Sequence, residues 1–134
     1  MSLQSWKEEF YLIEADKVPK SKALAHSLKK WLGLTEKNLK KHHLTKHGSR
    51  IIDERNCIDF IIASSTCALC YHWFTERIED VPRCKKCPLT KANKGMPCDD
   101  ETGNCSPYHY GIYNEDLKPM IALLRKAIRQ QNLQ

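Results

Sequence analysis

Leu24, Leu28, Trp31 and Leu32 recur at helical spacing, which predicts an amphipathic helix that Ser21 caps and that Gly33 ends in the left-handed conformation. Thr35 is placed to cap a second, shorter helix, with Leu34 before it and Leu39 four positions into it as a hydrophobic staple. That helix carries Lys37, Lys40 and Lys41 and is expected to run into His42-His43 and stop near Gly48. The next apolar stretch, Ile51 to Ser65, holds Ile51, Ile52, Cys57, Ile58, Phe60, Ile61 and Ile62. Its β-branched content suits a strand, but its length and the insertion Asp53-Glu54-Arg55-Asn56 favour a helix, with Cys57 as a small buried hydrophobe. At the other end, Leu117, Met120, Ile121, Leu124 and Ile128 form one stripe, and Pro119 fits a first turn. A helix from about Asp116 to Arg129 follows, expected to pack on the Ile51–Ile62 segment.

Between these helices the pattern dissolves. From Ser64 to Tyr113 the chain carries six of its seven cysteines, four prolines and three glycines, which is loop-rich chain in need of a staple. Cys67-Ala-Leu-Cys70 and Cys84-Lys-Lys-Cys87 stand thirteen residues apart. Within each pair the turn lets both sulfurs face one point, so Cys67, Cys70, Cys84 and Cys87 form a candidate tetrahedral zinc site. Cys98, Cys105 and His72 are alternate ligands. An iron–sulfur cluster is the alternative cofactor, suggested by Cys87-Pro88, although the compact run of cysteines of a ferredoxin is missing. A redox dithiol fits less well, because two adjacent pairs point to shared coordination.

The expected fold is therefore mainly α: one domain over residues 1–134, with a basic helical hairpin at 17–50, a zinc-stapled, cysteine-rich lobe at 64–113 and a closing helix at 114–134. A chain of this length can bury one core unaided. Cysteines would signal disulfides in a secreted protein, but the N-terminus shows no basic stretch followed by an apolar run. Reduced thiols and a cytoplasmic location are expected. No apolar run approaches the roughly 20 residues of a membrane span.

Charge adds a candidate surface. The net charge is +6, and residues 17–50 hold ten Lys or Arg against Glu36 alone, while residues 51–134 hold eleven of each sign. Lys22, Lys29, Lys30, Lys37, Lys40, Lys41, Lys46 and Arg50 are thus candidate nucleic-acid contacts, with His42, His43 and His47 as solvated or phosphate-facing residues rather than metal ligands. A helix-turn-helix is compatible with the pattern, but so is any helical hairpin. A protein partner is the alternative, docking by the metal lobe or by an aromatic patch that includes Trp6, Trp73 and Phe74. Enzymatic motifs are missing: there is no glycine-rich phosphate loop, no His-Glu-x-x-His, and no His-x-Glu triplet to accompany a deaminase-like zinc site.

The order Cys-x-x-Cys, Cys84-x-x-Cys87-Pro88-Leu89, Cys98, then Ser106-Pro107-Tyr108 resembles a group of small bacteriophage and bacterial proteins to which no activity is attached. The similarity runs from Cys67 to the closing helix with Pro119-Met120-Ile121. It implies that Cys98 belongs to the cysteine pattern and that Cys57 and Cys105 need not. The alternative function is a phage-type protein-interaction or inhibitor module that binds a host protein, placed in the host cytoplasm if the chain is encoded by a bacteriophage.

Overall fold

In a computed structural model of the chain, residues 1–74, 87–95, 107–113 and 115–132 are described. They form a mostly helical fold with one small antiparallel sheet. The first helix, α1 (Leu3–Phe10), had no counterpart in the sequence reading, although its signals are plain. Leu3, Trp6 and Phe10 fall on one face and are buried, and Ser2 and Ser5 close a reciprocal capping box at its start.

Helix α2 (Ala23–Leu32) follows a 3-10 turn at Lys20–Lys22, so the N-cap is Lys22 and Ser21 does not cap it. Leu24 and Trp31 are buried, with Leu28 partly buried against the core. Gly33 ends the helix as expected, but at φ −67° and not in the left-handed region. Its lack of a side chain serves packing: a Cβ there would lie 2.6 Å from Phe10 Cγ. The carbonyl of Gly33 accepts a 2.9 Å hydrogen bond from the Trp6 indole N–H. Thr35 is the N-cap of α3 (Glu36–Lys41), and Leu34 and Leu39 are both buried, as the staple requires.

Helix α3 is six residues long and does not continue through the histidines. The chain instead enters β1 (Thr45–His47), turns at Gly48-Ser49, and returns as β2 (Arg50–Asp53). Gly48 has φ +59°, which a two-residue hairpin turn with glycine first demands. A four-residue turn then leads to β3 (Ile58–Ile61), giving the order β1-β2-β3. The helix expected over Ile51–Ile62 is thus a hairpin. The polar run 53–56 that favoured a helix is the turn itself, with the Asn56 N–H and side-chain amide both donating to Asp53. Cys57 sits at this turn, exposed and at φ +55°, not buried.

One face of the sheet supplies the core. Ile51 and Phe60 pair across β2 and β3, and Phe60 packs against Trp6 and Tyr11 at centroid distances of 5.2 and 4.8 Å. Asp53, buried at the end of that face, accepts the Leu3 N–H at 2.9 Å and so ties the first turn of α1 to the hairpin. These hydrogen bonds, the Asn56 side chain's first, hold its carboxyl below the usual aspartate range.

Helices α4 (Pro88–Ala92), α5 (Pro107–Tyr113) and α6 (Lys118–Asn132) complete the fold. Helix α6 begins near the expected place, but it packs on α2, α4 and α5; the expected docking on the 51–62 segment is not the principal one. Met120, Leu123, Leu124 and Ala127 form its buried stripe. Gly111 lets α5 approach α2, since a Cβ there would lie 2.3 Å from Trp31 Cζ3. Among the described residues no helix is long and apolar enough to cross a membrane.

Candidate metal centre

The first cysteine pair is built on a tight turn. A short 3-10 turn (Ser64–Thr66) delivers the chain to Cys67, and a π-type turn (Cys70–Phe74) begins at the second cysteine. Thr66 pins this corner, its hydroxyl donating to the Ile61 carbonyl at 2.7 Å and accepting the Ala63 N–H at 3.1 Å. Across the pair, the Cys70 N–H points at Cys67 Sγ at 3.4 Å. This backbone-to-sulfur arrangement favours a thiolate at Cys67.

Three further groups close on that sulfur. Ser27 Oγ of α2 is 3.9 Å away. Lys30, one turn along α2, lends a positive charge, and the Cys70 thiol hydrogen-bonds the thiolate. The Cys70 hydrogen bond is the largest of these influences, and together they outweigh burial and hold the Cys67 thiol well below the usual thiol range. Cys87, the residue before α4, behaves oppositely. Burial pushes it up to about 11, opposed by the amides of Leu89 and Thr90, and the charge of Cys67 adds to the rise. Cys87 therefore lies within the electrostatic influence of Cys67.

Of the expected quartet, Cys67 and Cys70 are brought together and Cys87 lies within electrostatic reach; Cys84 is outside the described residues, as are the alternates Cys98 and Cys105. Among the described residues, no group of three or more His, Cys, Asp or Glu side chains is gathered closely enough to hold a metal ion. His72 is turned elsewhere, with Nε2 2.6 Å from the Val18 carbonyl oxygen. The donor chemistry suits zinc all the same: two adjacent sulfurs, a backbone N–H directed at one of them, a second buried thiol nearby and a cation to offset negative charge.

The candidate nucleic-acid contacts separate into two groups. Lys22, Lys29 and Lys37 are exposed. Lys40 pairs with Glu36 at 2.8 Å, Lys41 with Glu9 at 2.7 Å, and Arg50 with Asp59 at 2.7 Å. Lys46 donates to the Ile112 carbonyl at 3.1 Å, bridging β1 to α5. Lys30 is only 2% exposed and donates to the Thr66 carbonyl at 2.9 Å, so it is no surface contact. A lysine at a helical position adjacent to Trp31 gave no sequence signal of that burial.

His42 is also corrected. It is buried, with Nδ1 hydrogen-bonded to Ser5 Oγ at 2.8 Å. The imidazole fastens the end of α3 to the start of α1. Trp6 is fully buried and cannot belong to an aromatic docking patch. Trp73 is partly buried against the core, with Lys20 Nζ 5.4 Å from its ring centroid.

No protein-family model, curated protein or solved structure matches the chain.

Proposed function

We propose that the protein is a non-enzymatic binding module whose cysteine-rich lobe is stapled by zinc. The observation that carries this reading is the Cys67 environment, where a half-buried sulfur meets a second thiol, a backbone N–H and a serine hydroxyl, within the electrostatic influence of Lys30. Cys67, Cys70 and Cys87 would hold the metal with Cys84 as fourth ligand. Zinc supplies a crosslink in such a site, and four thiolates leave it no open position for substrate or water.

The partner best supported is a protein. Lys30 and Lys46 are spent on carbonyls within the fold, and Lys41 and Arg50 are surface cations paired with Glu9 and Asp59, while Leu12 and Ile13 are 74% and 48% exposed in the segment after α1 and Ile58 and Ile61 are exposed on β3. Nucleic acid is the second reading, favoured by exposed Lys22, Lys29 and Lys37 in the basic window. Three phosphate contacts would give log K a salt slope of about −3 on duplex DNA.

Elemental analysis of protein purified without a metal-affinity tag tests the staple. One zinc per chain, lost in Cys67→Ser, is expected; iron, or no metal, overturns it. A stoichiometric protein partner that survives nuclease supports the first partner reading, and a salt-dependent mobility shift with DNA or RNA supports the second.

A further inference from the structure

The step from α3 into β1 leaves an open cleft. His43, in the left-handed conformation at φ +57°, turns the chain, and the Leu44 N–H bonds the Leu39 carbonyl at 2.9 Å, folding the start of the sheet back against the helix. Between α3, β1 and the link into α6 lies a space of about 480 Å³, within the size range of small-molecule sites. Leu34, Leu39 and Leu44 line it and are buried, and the partly buried Leu117 extends the apolar wall.

The charges at this cleft are not equivalent. Glu36 and Lys40 are exposed and neutralise one another at 2.8 Å. Lys46 is half-buried, and it spends one of an ammonium's three N–H donors on the Ile112 carbonyl at 3.1 Å. Among the described residues no carboxylate forms an ion pair with it. Burial holds the Lys46 ammonium below the usual lysine range, and the charge of Glu115, on the facing wall, opposes that effect from a distance. A cation drawn partly out of water and met only by a neutral carbonyl gains from an anion. The leucines add a second requirement. A bare polar anion would leave them wet, and a neutral hydrocarbon would leave the ammonium unmatched.

We propose that the cleft binds a small apolar monocarboxylate, its hydrocarbon body lying on Leu34, Leu39, Leu44 and Leu117 and its carboxylate taken by Lys46. The site uses no cysteine and is independent of the zinc and partner readings above. It also gives Lys46 a different task from the phosphate contact expected from sequence, because the surface beside this lysine is apolar.

The test titrates the isotope-labelled full-length chain with octanoate, octanol and octylammonium at one pH, each below its aggregation concentration, and follows amide chemical shifts. Octanoate is expected to shift the amides of Leu39, Leu44, Lys46 and Leu117 and to bind about tenfold more tightly than octanol, the gain of one charge-assisted hydrogen bond. Lys46→Gln keeps a donor for the Ile112 carbonyl and should lose that tenfold advantage, whereas Lys40→Gln, at the paired rim, should keep it. Glu115→Gln removes a carboxylate that repels the incoming anion and should bind octanoate more tightly than wild type. Should Lys46→Gln fail to fold, the octanoate-to-octanol ratio and the Glu115→Gln variant decide. Equal affinity for octanoate and octanol overturns the proposal, as does a preference for octylammonium. Shifts scattered away from the cleft, or no shift with millimolar octanoate, overturn the site itself. None of these outcomes alters the zinc content, which elemental analysis reads separately.

Discussion

In residues 1–62 each contact has a purely organic partner: Trp6 fills the space under Phe60 and bonds the Gly33 carbonyl, His42 bonds Ser5, and Asp53 bonds Leu3. In the described residues of the cysteine-rich segment, 63–74 and 87–95, the helical pieces are a few residues long, and Ser27 of α2 reaches Cys67 Sγ at 3.9 Å. The first region has enough apolar surface to order itself. The second has turns too short to persist alone and borrows its support from the first. The contrast bears on the zinc reading proposed above: a crosslink there would tie short turns that carry sulfur donors to the shared core.

On the zinc reading proposed above, removing the metal should separate the regions most sharply. With a chelator present, amide exchange in 64–74 and 87–95 is expected to accelerate by orders of magnitude, while amides of β2, β3 and α1 stay protected; uniform acceleration would show that the two regions unfold together. Next in size is Trp6→Ala, which empties a fully buried site and should cost about 4 kcal/mol in denaturant unfolding. Its folded fraction should still bind zinc with wild-type affinity, and a parallel loss of metal would erase the distinction.

Gly111→Ala probes the contact of the first region with α5, which lies outside both. Alanine favours a helix over glycine by about 1 kcal/mol, but its Cβ would meet Trp31, itself buried, at 2.3 Å. Overpacking of this kind costs about 1–3 kcal/mol, so a net loss of about 1 kcal/mol is expected from thermal or denaturant melts. A gain would mean that α5 can shift away from α2 freely.

The smallest effect is a pH dependence confined to the first region. The native Asp53 carboxyl titrates below its ordinary 3.8, so its contribution is fully present above that value and is lost as pH falls through the native value. Asp53→Asn should lower the melting temperature at pH 7 and flatten the acid limb of stability below the ordinary aspartate value of 3.8 relative to wild type. Equal acid limbs in the two proteins would remove Asp53 from the account.

The helices with a broad apolar stripe were legible: α2 from Leu24 and Trp31, α3 from Thr35 with its leucine staple, and α6 from Met120 and Leu124. The sheet was not, because β1 is three residues long and β2 and β3 four each, too short for a period-two pattern to outvote a helical one. The two-residue turn Gly48-Ser49, flanked by Lys46 and Ile51, was the signal available. At the candidate centre, the cysteine pair was readable from spacing. Lys30 was not, since only the crossing of α2 over Thr66 decides that an ammonium goes inward, and no local pattern encodes it.

The bond from the Leu3 amide to Asp53 spans fifty positions, which sets an order of events during synthesis. Helix α1 leaves the ribosome long before the β2–β3 turn that completes its cap and before the Phe60 that covers Trp6. Until Asp53 and Phe60 have emerged, α1 has an unsealed end and a bare indole, so a nascent chain arrested between α1 and β3 exposes apolar surface of the kind chaperones bind.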